Sequence, residues 1–118
     1  MKTPTLDKFT RAYLECAIWS SSDDDGNSLD DGRDISDISN DFIKDAIEDC
    51  NAFRESAGDM LADWTDEQAG HDFWLTRNGH GAGFWDRGLP MGNTLTALAK
   101  PYGGVYLYVG DDGLIYSN

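Results

Sequence analysis

Two histidines and two aspartates near the middle of the chain have the side chains best suited to catalysis or metal binding. His71, Asp72, His80 and Asp86 could ligate a metal ion or act as an acid–base set, because imidazole and carboxylate groups serve both purposes. Their spacing matches no standard zinc motif. His71 and Asp72 are also adjacent, so their side chains would point about 100° apart on a helix. A small metal-assisted hydrolase built on these four residues is one hypothesis for the function.

A structural interpretation of the same region competes with the hydrolase hypothesis. Residues 70–92 are rich in glycine and aromatic side chains, which is typical of a closely packed connector. In this interpretation Phe84 and Trp85 pack in the core, and Arg77 or Arg87 forms an ion pair with one of the two aspartates. We favour this interpretation, so the sequence predicts no catalytic residue, no metal site and no cofactor.

An aspartate-rich loop over residues 20–36 raises the separate question of calcium binding. Asp23, Asp25 and Gly26 fall where an EF-hand loop has its third, fifth and sixth positions. The twelfth position is then Gly32, where an EF-hand requires a bidentate glutamate. The pattern excludes an EF-hand and leaves an irregular site for a hard cation as an open alternative.

Negative charge dominates the composition and is confined to one segment. The 118 residues include 22 acidic and 9 basic side chains, which gives a formal net charge of −13. Residues 23–67 contain 16 of the acidic and three of the basic residues, and the rest of the chain carries six of each. Binding to nucleic acid or to an anionic membrane needs clustered Lys and Arg, so this charge argues against both.

The acidic side chains of this segment recur every four residues in two rows. The rows consist of Asp37, Asp41, Asp45 and Asp49, followed by Glu55, Asp59 and Asp63. Residues four apart share one face of a helix, so each row places carboxylates about 6 Å apart along the axis. Repulsion within a row costs about 0.2–0.5 kcal/mol per pair. Crowded carboxylates also predict raised pKa values and a stability that rises as the pH falls from about 7 toward 5.

Carboxylate rows of this kind resemble the regular charge of a DNA strand, whose phosphates rise about 3.4 Å each. They predict binding to a protein with a basic nucleic-acid-binding groove, through fast and salt-sensitive association. Reversing Asp41, Asp45 and Asp49 to Lys is expected to slow association without unfolding the domain. The alternative is that the acidity serves only solubility. The predicted partner-binding residues are Asp23, Asp24, Asp25, Asp30, Asp31, Asp34, Asp37, Asp41, Asp45, Glu48, Asp49, Glu55, Asp59 and Asp63.

The elements that must position these residues are mostly helical. An apolar stripe predicts a first helix over about residues 5–19, with a threonine cap or Pro4 at its start. A second stripe predicts an acidic helix over about residues 37–64. A capping-box pattern predicts a third helix over residues 65–77, closed by Asn78 and Gly79. The aromatic residues predicted to anchor the core are Phe53, Trp64, Phe73 and Trp85.

In the C-terminal part of the chain, the sequence predicts a change from helix to strand. Asn93 or Thr94 can cap a short fourth helix, and residues 104–117 read as a hairpin around an Asp-Gly turn. A two-stranded hairpin is marginal alone, so it must pack on the helices. The sequence therefore predicts a single α+β domain over residues 1–118, with three to four helices and a C-terminal two-stranded antiparallel hairpin.

Three runs of sequence carry a resemblance to a known group of proteins. They are RAYLECAIWSSSDDDGNSLDD, AGHDFWLTRNGHGAGFWDRG and LYVGDDGLIY. With these runs the chain resembles a family of short acidic proteins encoded by tailed bacteriophages, over nearly its whole length. The resemblance implies no activity and no catalytic residue. It implies a setting, which is the cytoplasm of an infected bacterial host.

The expected function combines this setting with the charge pattern. Small acidic phage proteins of other families inhibit host restriction, CRISPR or nuclease machinery, some of them by resembling DNA, and the comparison here is one of general character. We expect a phage accessory protein that binds a host protein with a basic groove and inhibits a defence or nucleic-acid-processing complex. The remaining alternatives are the hydrolase and a structural or regulatory phage protein.

Overall fold

The computed structural model of the protein describes residues 6–23 and 25–117. Helix α1 spans Lys8–Ser20 and begins where the Asp7 side chain accepts a hydrogen bond of 2.8 Å from the Thr10 backbone N–H. The helix therefore starts about one turn later than the apolar stripe predicts, because Asp7 supplies the cap. The predicted threonine caps and Pro4 lie outside the described residues.

Helix α2 spans Asn40–Ala57 and is shorter at both ends than the predicted acidic helix. Ser39 caps its first turn by accepting a hydrogen bond of 3.2 Å from the Phe42 backbone N–H. A separate 3₁₀ turn, Ile35–Asp37, precedes it, and Gly58 ends it with a positive φ of 50°. The apolar stripe is confirmed, since the buried residues of α2 are Phe42, Ile43, Ala46, Cys50, Phe53 and Ala57.

Helix α3 spans Asp66–Arg77 and has the bounds that its capping pattern predicts. The Thr65 hydroxyl accepts a hydrogen bond of 3.1 Å from the Gln68 backbone N–H at its start. Gly79, with φ of 71°, follows its last turn as predicted. Gly70 lies where α3 meets α1, and a Cβ there would come within 2.1 Å of the Phe9 carbonyl oxygen. The close packing of α1 on α3 therefore requires glycine at this position.

In the connector that follows α3, two adjacent aromatic residues differ in burial. A 3₁₀ turn, Phe84–Asp86, buries Phe84 completely but leaves Trp85 40% exposed. The prediction that Trp85 anchors the core is wrong. Consecutive residues of a 3₁₀ turn point about 120° apart, so only one of the pair can face the core. The other predicted anchors, Phe53, Trp64 and Phe73, are all buried.

The C-terminal elements complete the predicted α+β architecture. Helix α4 spans Gly92–Ala99, and a 3₁₀ turn, Lys100–Tyr102, follows it. Strand β1, Leu107–Val109, pairs antiparallel with strand β2, Ile115–Ser117. The described part of the chain thus contains four α-helices and a two-stranded sheet around one hydrophobic core.

Stacked aromatic rings hold the centre of this core. The Phe53 ring of α2 lies parallel to the Phe73 ring of α3 at 4.2 Å and close to the Phe84 ring at 5.6 Å. Phe9 of α1 packs on both Phe53 and Phe73 at 6.3 Å. The acidic helix is therefore fixed by its buried face, and its opposite face is turned outward. Within the described residues, no helix is long and apolar enough to cross a membrane.

Candidate partner-binding surface

The solvent side of α2 carries four carboxylates on one face. We call Asp41, Asp45, Glu48 and Glu55 the α2 acidic face; all four are exposed. Their steps of four, three and seven residues keep them within about 80° of one another around the helix axis, at 100° per residue. Among the residues that the structure describes, none of these side chains makes a hydrogen bond or an ion pair. Lys44 borders this face on the same helix, but it forms no ion pair with any of the four acids in the described chain.

The predicted row that begins at Asp37 is interrupted at both ends. Asp37 lies in the 3₁₀ turn before α2, where its carboxylate accepts a hydrogen bond of 3.0 Å from the Asp34 backbone N–H. Asp34 in turn accepts a hydrogen bond of 2.8 Å from the Ser36 backbone N–H. Hydrogen bonds from Ser36 hold the pKa of Asp34 below its usual value. These two aspartates form a reciprocal cap rather than part of a helical row.

Asp49, at the other end of the row, lies half-buried beside α3. Its Oδ2 is 2.8 Å from Nη1 of Arg77, whose side chain is only 6% exposed. Arg77 also donates to the Tyr13 hydroxyl at 2.9 Å and to the backbone carbonyls of Tyr102 and Gly103 at 2.9 and 2.8 Å. Burial opposes the charge on Arg77, but Tyr13 and Asp49 outweigh it and the pKa of Arg77 is raised. Asp49 therefore lies beside Asp45 but is neutralised by a buried arginine, unlike the acids of the α2 acidic face.

Aspartates of the loop before α2 mostly stabilise its turns. Asp23 accepts hydrogen bonds from the backbone N–H groups of Asp25 and Asn27 at 2.9 and 3.0 Å. Asp30 accepts one of 2.7 Å from the Ser28 hydroxyl. Across the described parts of the loop, no three His, Cys, Asp or Glu residues are arranged to hold a metal ion.

The remaining predicted binding residues that the structure describes are exposed. Asp25 and Asp31 are exposed in the loop, and Asp24 lies outside the described residues. Asp59 and Asp63 are exposed just after α2. They lie in a 3₁₀ helix and a turn, so they extend the acidic surface but not the helical row.

The buried carboxylate of Asp72 belongs to an ion pair. Arg87 contacts it from Nη2 at 2.6 Å and from Nε at 3.1 and 3.2 Å, and Gln68 donates to it at 2.9 Å. Burial acts to raise the pKa of Asp72, but these hydrogen bonds, His71 and the Arg87 charge outweigh it and the pKa is lowered. The predicted pairing of an arginine with Asp72 is confirmed, and Arg87 is the partner.

Two other members of the proposed hydrolase site, His71 and Asp86, lie beside this ion pair, and Asp86 is 3.8 Å from Nε of Arg87. Nδ1 of His71 is 4.0 Å from the Asp72 carboxylate, and its ring packs near the exposed Trp19 ring at 5.9 Å. Asp86 accepts a hydrogen bond of 3.1 Å from the Gly83 backbone N–H. In residues 6–23 and 25–117 no cluster of three potential metal ligands is formed. The structure does not assemble His71, Asp72, His80 and Asp86 into a metal site.

A cleft beside the α2 acidic face was not recognised in the sequence. The Ser39 backbone N–H donates to the Ile115 carbonyl at 2.8 Å, which attaches strand β2 to the start of α2. The attachment creates a cleft of about 460 Å³ between the helix and the hairpin. Its lining includes two acidic residues, Asp41 and Asp45, and two tyrosines, Tyr108 and Tyr116. The alternation of tyrosine and apolar residues in residues 106–109 was the available signal for an outward tyrosine row.

Comparisons with known proteins give no match. No family model matches the chain, and neither the curated proteins nor the solved structures contain one that matches it.

Proposed function

We propose that this protein acts by binding, and that the α2 acidic face occupies the basic nucleic-acid-binding groove of a partner protein. The observation that carries the proposal is the set of four exposed carboxylates on one helix face, without hydrogen bonds or ion pairs in the described chain. Like charges at this spacing destabilise a helix, and surfaces selected for folding intersperse both signs. A cationic partner accounts for an arrangement that folding alone does not.

The dimensions of the face suit partial mimicry of a nucleic-acid strand. At 1.5 Å per residue, the first and last of its carboxylates, Asp41 and Glu55, are about 21 Å apart along the axis. That length corresponds to about six phosphate steps of one DNA strand. Four carboxylates over this distance give a lower charge density than DNA, so Asp59 and Asp63 at the end of α2 are proposed to extend the contact.

The proposed biological setting is a bacterial cytoplasm during phage infection, and the proposed effect is inhibition of a host defence or nucleic-acid-processing complex. This setting is supported by the resemblance to short acidic phage proteins. The inhibitor would occupy the groove in place of DNA or RNA, so nucleic acid and this protein should compete for the same partner. Electrostatic attraction would make their association fast and sensitive to salt.

Matched charge-reversal variants separate a specific surface from bulk acidity. The first variant, Asp45→Lys with Glu48→Lys, changes the α2 acidic face. The control, Glu15→Lys with Glu67→Lys, changes two exposed acids on α1 and α3. Each variant moves the formal net charge from −13 to −9. Within residues 6–23 and 25–117, Glu15 pairs with Arg11 at 3.5 Å, and both side chains are more than half exposed, so the loss of this pair has little structural effect.

The experiment uses immobilised protein and a nuclease-treated lysate of host bacteria. We expect the wild type and the control variant to retain a protein that added duplex DNA or RNA displaces, and the Asp45→Lys/Glu48→Lys variant to lose it. Retention that nucleic acid does not affect would contradict the proposed groove. Equal loss from both variants would reduce the effect to bulk charge. The triple reversal of Asp41, Asp45 and Asp49 would also break the ion pair between Asp49 and Arg77, so it would test folding as well as binding. Asp49 is therefore left unchanged.

A further inference from the structure

Two tyrosines form a ring pair on the outer face of the hairpin. Tyr108 and Tyr116 are directly opposite in the β1–β2 register, and their ring centroids are 5.8 Å apart with an interplanar angle of 20°. Their neighbours Leu107 and Ile115 point inward and are buried. The alternation of a strand therefore turns both tyrosines away from the core, and Tyr108 remains 43% exposed.

Carboxylates surround this ring pair on two sides. Asp112 of the hairpin turn accepts a hydrogen bond from the Tyr116 hydroxyl, which orients that ring. Asp41 and Asp45 of α2 line the same cleft as both tyrosines. The hydrogen bond to Asp112 raises the pKa of Tyr116, and the charge of Asp41 adds to this effect. The cleft thus combines aromatic faces with unpaired negative charge, which is the environment that attracts an organic cation.

We infer that this cleft receives an arginine side chain of the basic partner, with the guanidinium against Tyr108 and Tyr116 and its N–H groups directed at Asp41 and Asp45. The inference rests on the proposed function and names the residue type that the surface selects. Charge complementarity identifies a cationic occupant, and the tyrosine rings identify arginine. A guanidinium is planar, stacks on aromatic rings and forms paired hydrogen bonds with carboxylates, whereas a lysine ammonium is a compact and strongly hydrated charge.

One cation already lines the cleft and provides an internal test. Lys44 is exposed and lies between Asp41 and Asp45 in sequence, and no ion pair joins it to an acid of the described chain. Its charge opposes an incoming guanidinium. Lys44→Gln is therefore expected to strengthen binding of a cationic peptide more than Lys100→Gln, which makes the same change of net charge at an exposed residue outside the cleft.

Peptides of nine arginines and of nine lysines are suitable probes, because they carry equal charge and differ only in the cationic group. Isothermal titration calorimetry is expected to show about fivefold or tighter binding of the arginine peptide to the wild type. Tyr108→Leu should reduce this preference to less than about twofold. The matched control is Trp85→Leu, which removes a ring of similar exposure, 40% against 43%, from outside the cleft. The control should keep the preference, and thermal denaturation should show that both variants fold.

The outcomes separate the inference from the proposed function. Equal affinity of the wild type for the two peptides, or the same effect of Tyr108→Leu and Trp85→Leu, would overturn the arginine cleft and leave the α2 acidic face standing. Failure of the wild type to bind either peptide at low salt would overturn both. A gain in affinity about threefold larger for Lys44→Gln than for Lys100→Gln would support the cleft, and equal gains would count against it.

Discussion

The loop before α2 and the solvent face of α2 are both crowded with aspartate and glutamate, yet their carboxylates have different roles. In the loop and its 3₁₀ turn, Asp23, Asp30, Asp34 and Asp37 accept hydrogen bonds at or below about 3 Å from nearby N–H or hydroxyl groups. On the α2 acidic face, the four carboxylates make no such contacts with the described chain. Folding explains the first group and does not explain the second.

This difference shows that acidic residues should be judged by their partners and not by their density. Asp49 and Asp72 make the same point inside the domain, since each is matched by an arginine, Arg77 or Arg87. The structure therefore narrows a surface of 14 predicted residues to those without a structural partner. The candidates that remain on and just after α2 are Asp41, Asp45, Glu48, Glu55, Asp59 and Asp63.

The largest loss of stability is expected when the ion pair between Arg77 and Asp49 is broken. Arg77→Met should lower the free energy of unfolding by about 3–5 kcal/mol, because it leaves Asp49, Tyr13 and two backbone carbonyls without their buried donor. Arg54→Met is the control, since Arg54 pairs with the partly exposed Asp7 and should lose less than about 1 kcal/mol. Urea denaturation measures both, and equal losses would show that Asp49 has no special structural role.

An intermediate effect is expected at the Asp72 ion pair and in its pH dependence. Asp72→Asn should cost about 2–3 kcal/mol at neutral pH, less than a fully buried pair, because Arg87 remains 30% exposed and can be hydrated. The pKa of Asp72 is lowered from 3.8, so the folded state favours the charged carboxylate. Its contribution is complete above about pH 4 and is lost as the pH falls through the folded pKa.

The measurement for this second prediction is the urea midpoint as a function of pH. The wild type should lose stability below about pH 4, and Asp72→Asn should flatten that decline. This loss of stability on acidification is opposite in direction to the gain in stability from pH 7 toward 5 that crowded carboxylates predict. An unchanged acid decline in the variant would show that Asp72 is not its source.

The smallest effect concerns the α2 acidic face itself. Asp45→Asn with Glu48→Gln should leave the domain as stable as the wild type or more stable, by about 0.2–0.5 kcal/mol for each repulsive pair removed. Ser39→Ala is the contrast, since it removes the cap of the same helix and should cost about 1 kcal/mol. Destabilisation by the double neutralisation would mean that these carboxylates support the fold, and the comparison would fail.

Local patterns predicted the elements well because their causes lie within a few residues. The apolar stripe of α2 and the cap at Thr65 each act over one to four positions, and both are confirmed. The end of α2 at Gly58 was harder to place, because a glycine inside a stripe either interrupts a helix or is tolerated at a cost of about 1 kcal/mol. Here it takes a positive φ and stops the helix.

Features that depend on long-range pairing or on irregular backbone could not be predicted from the sequence. Asp49 repeats the spacing of Asp41 and Asp45, and its contact with Arg77, 28 residues away, distinguishes it from them by giving it a structural partner. Trp85 lies in a glycine-rich connector without periodicity, so its exposure could not be separated from the burial of Phe84. The cleft with Tyr108 depends on the docking of the hairpin on α2, which no local pattern encodes.

The most direct test of the central claim is the association rate of the two charge-matched variants with the protein that nucleic acid displaces. Stopped-flow measurements at low salt should show Asp45→Lys/Glu48→Lys associating at least about tenfold more slowly than the wild type, because steering depends on the charges nearest the contact. Glu15→Lys/Glu67→Lys should stay within about twofold, since its changes lie on α1 and α3 and not on the α2 acidic face. Equal slowing in the two variants would contradict the account.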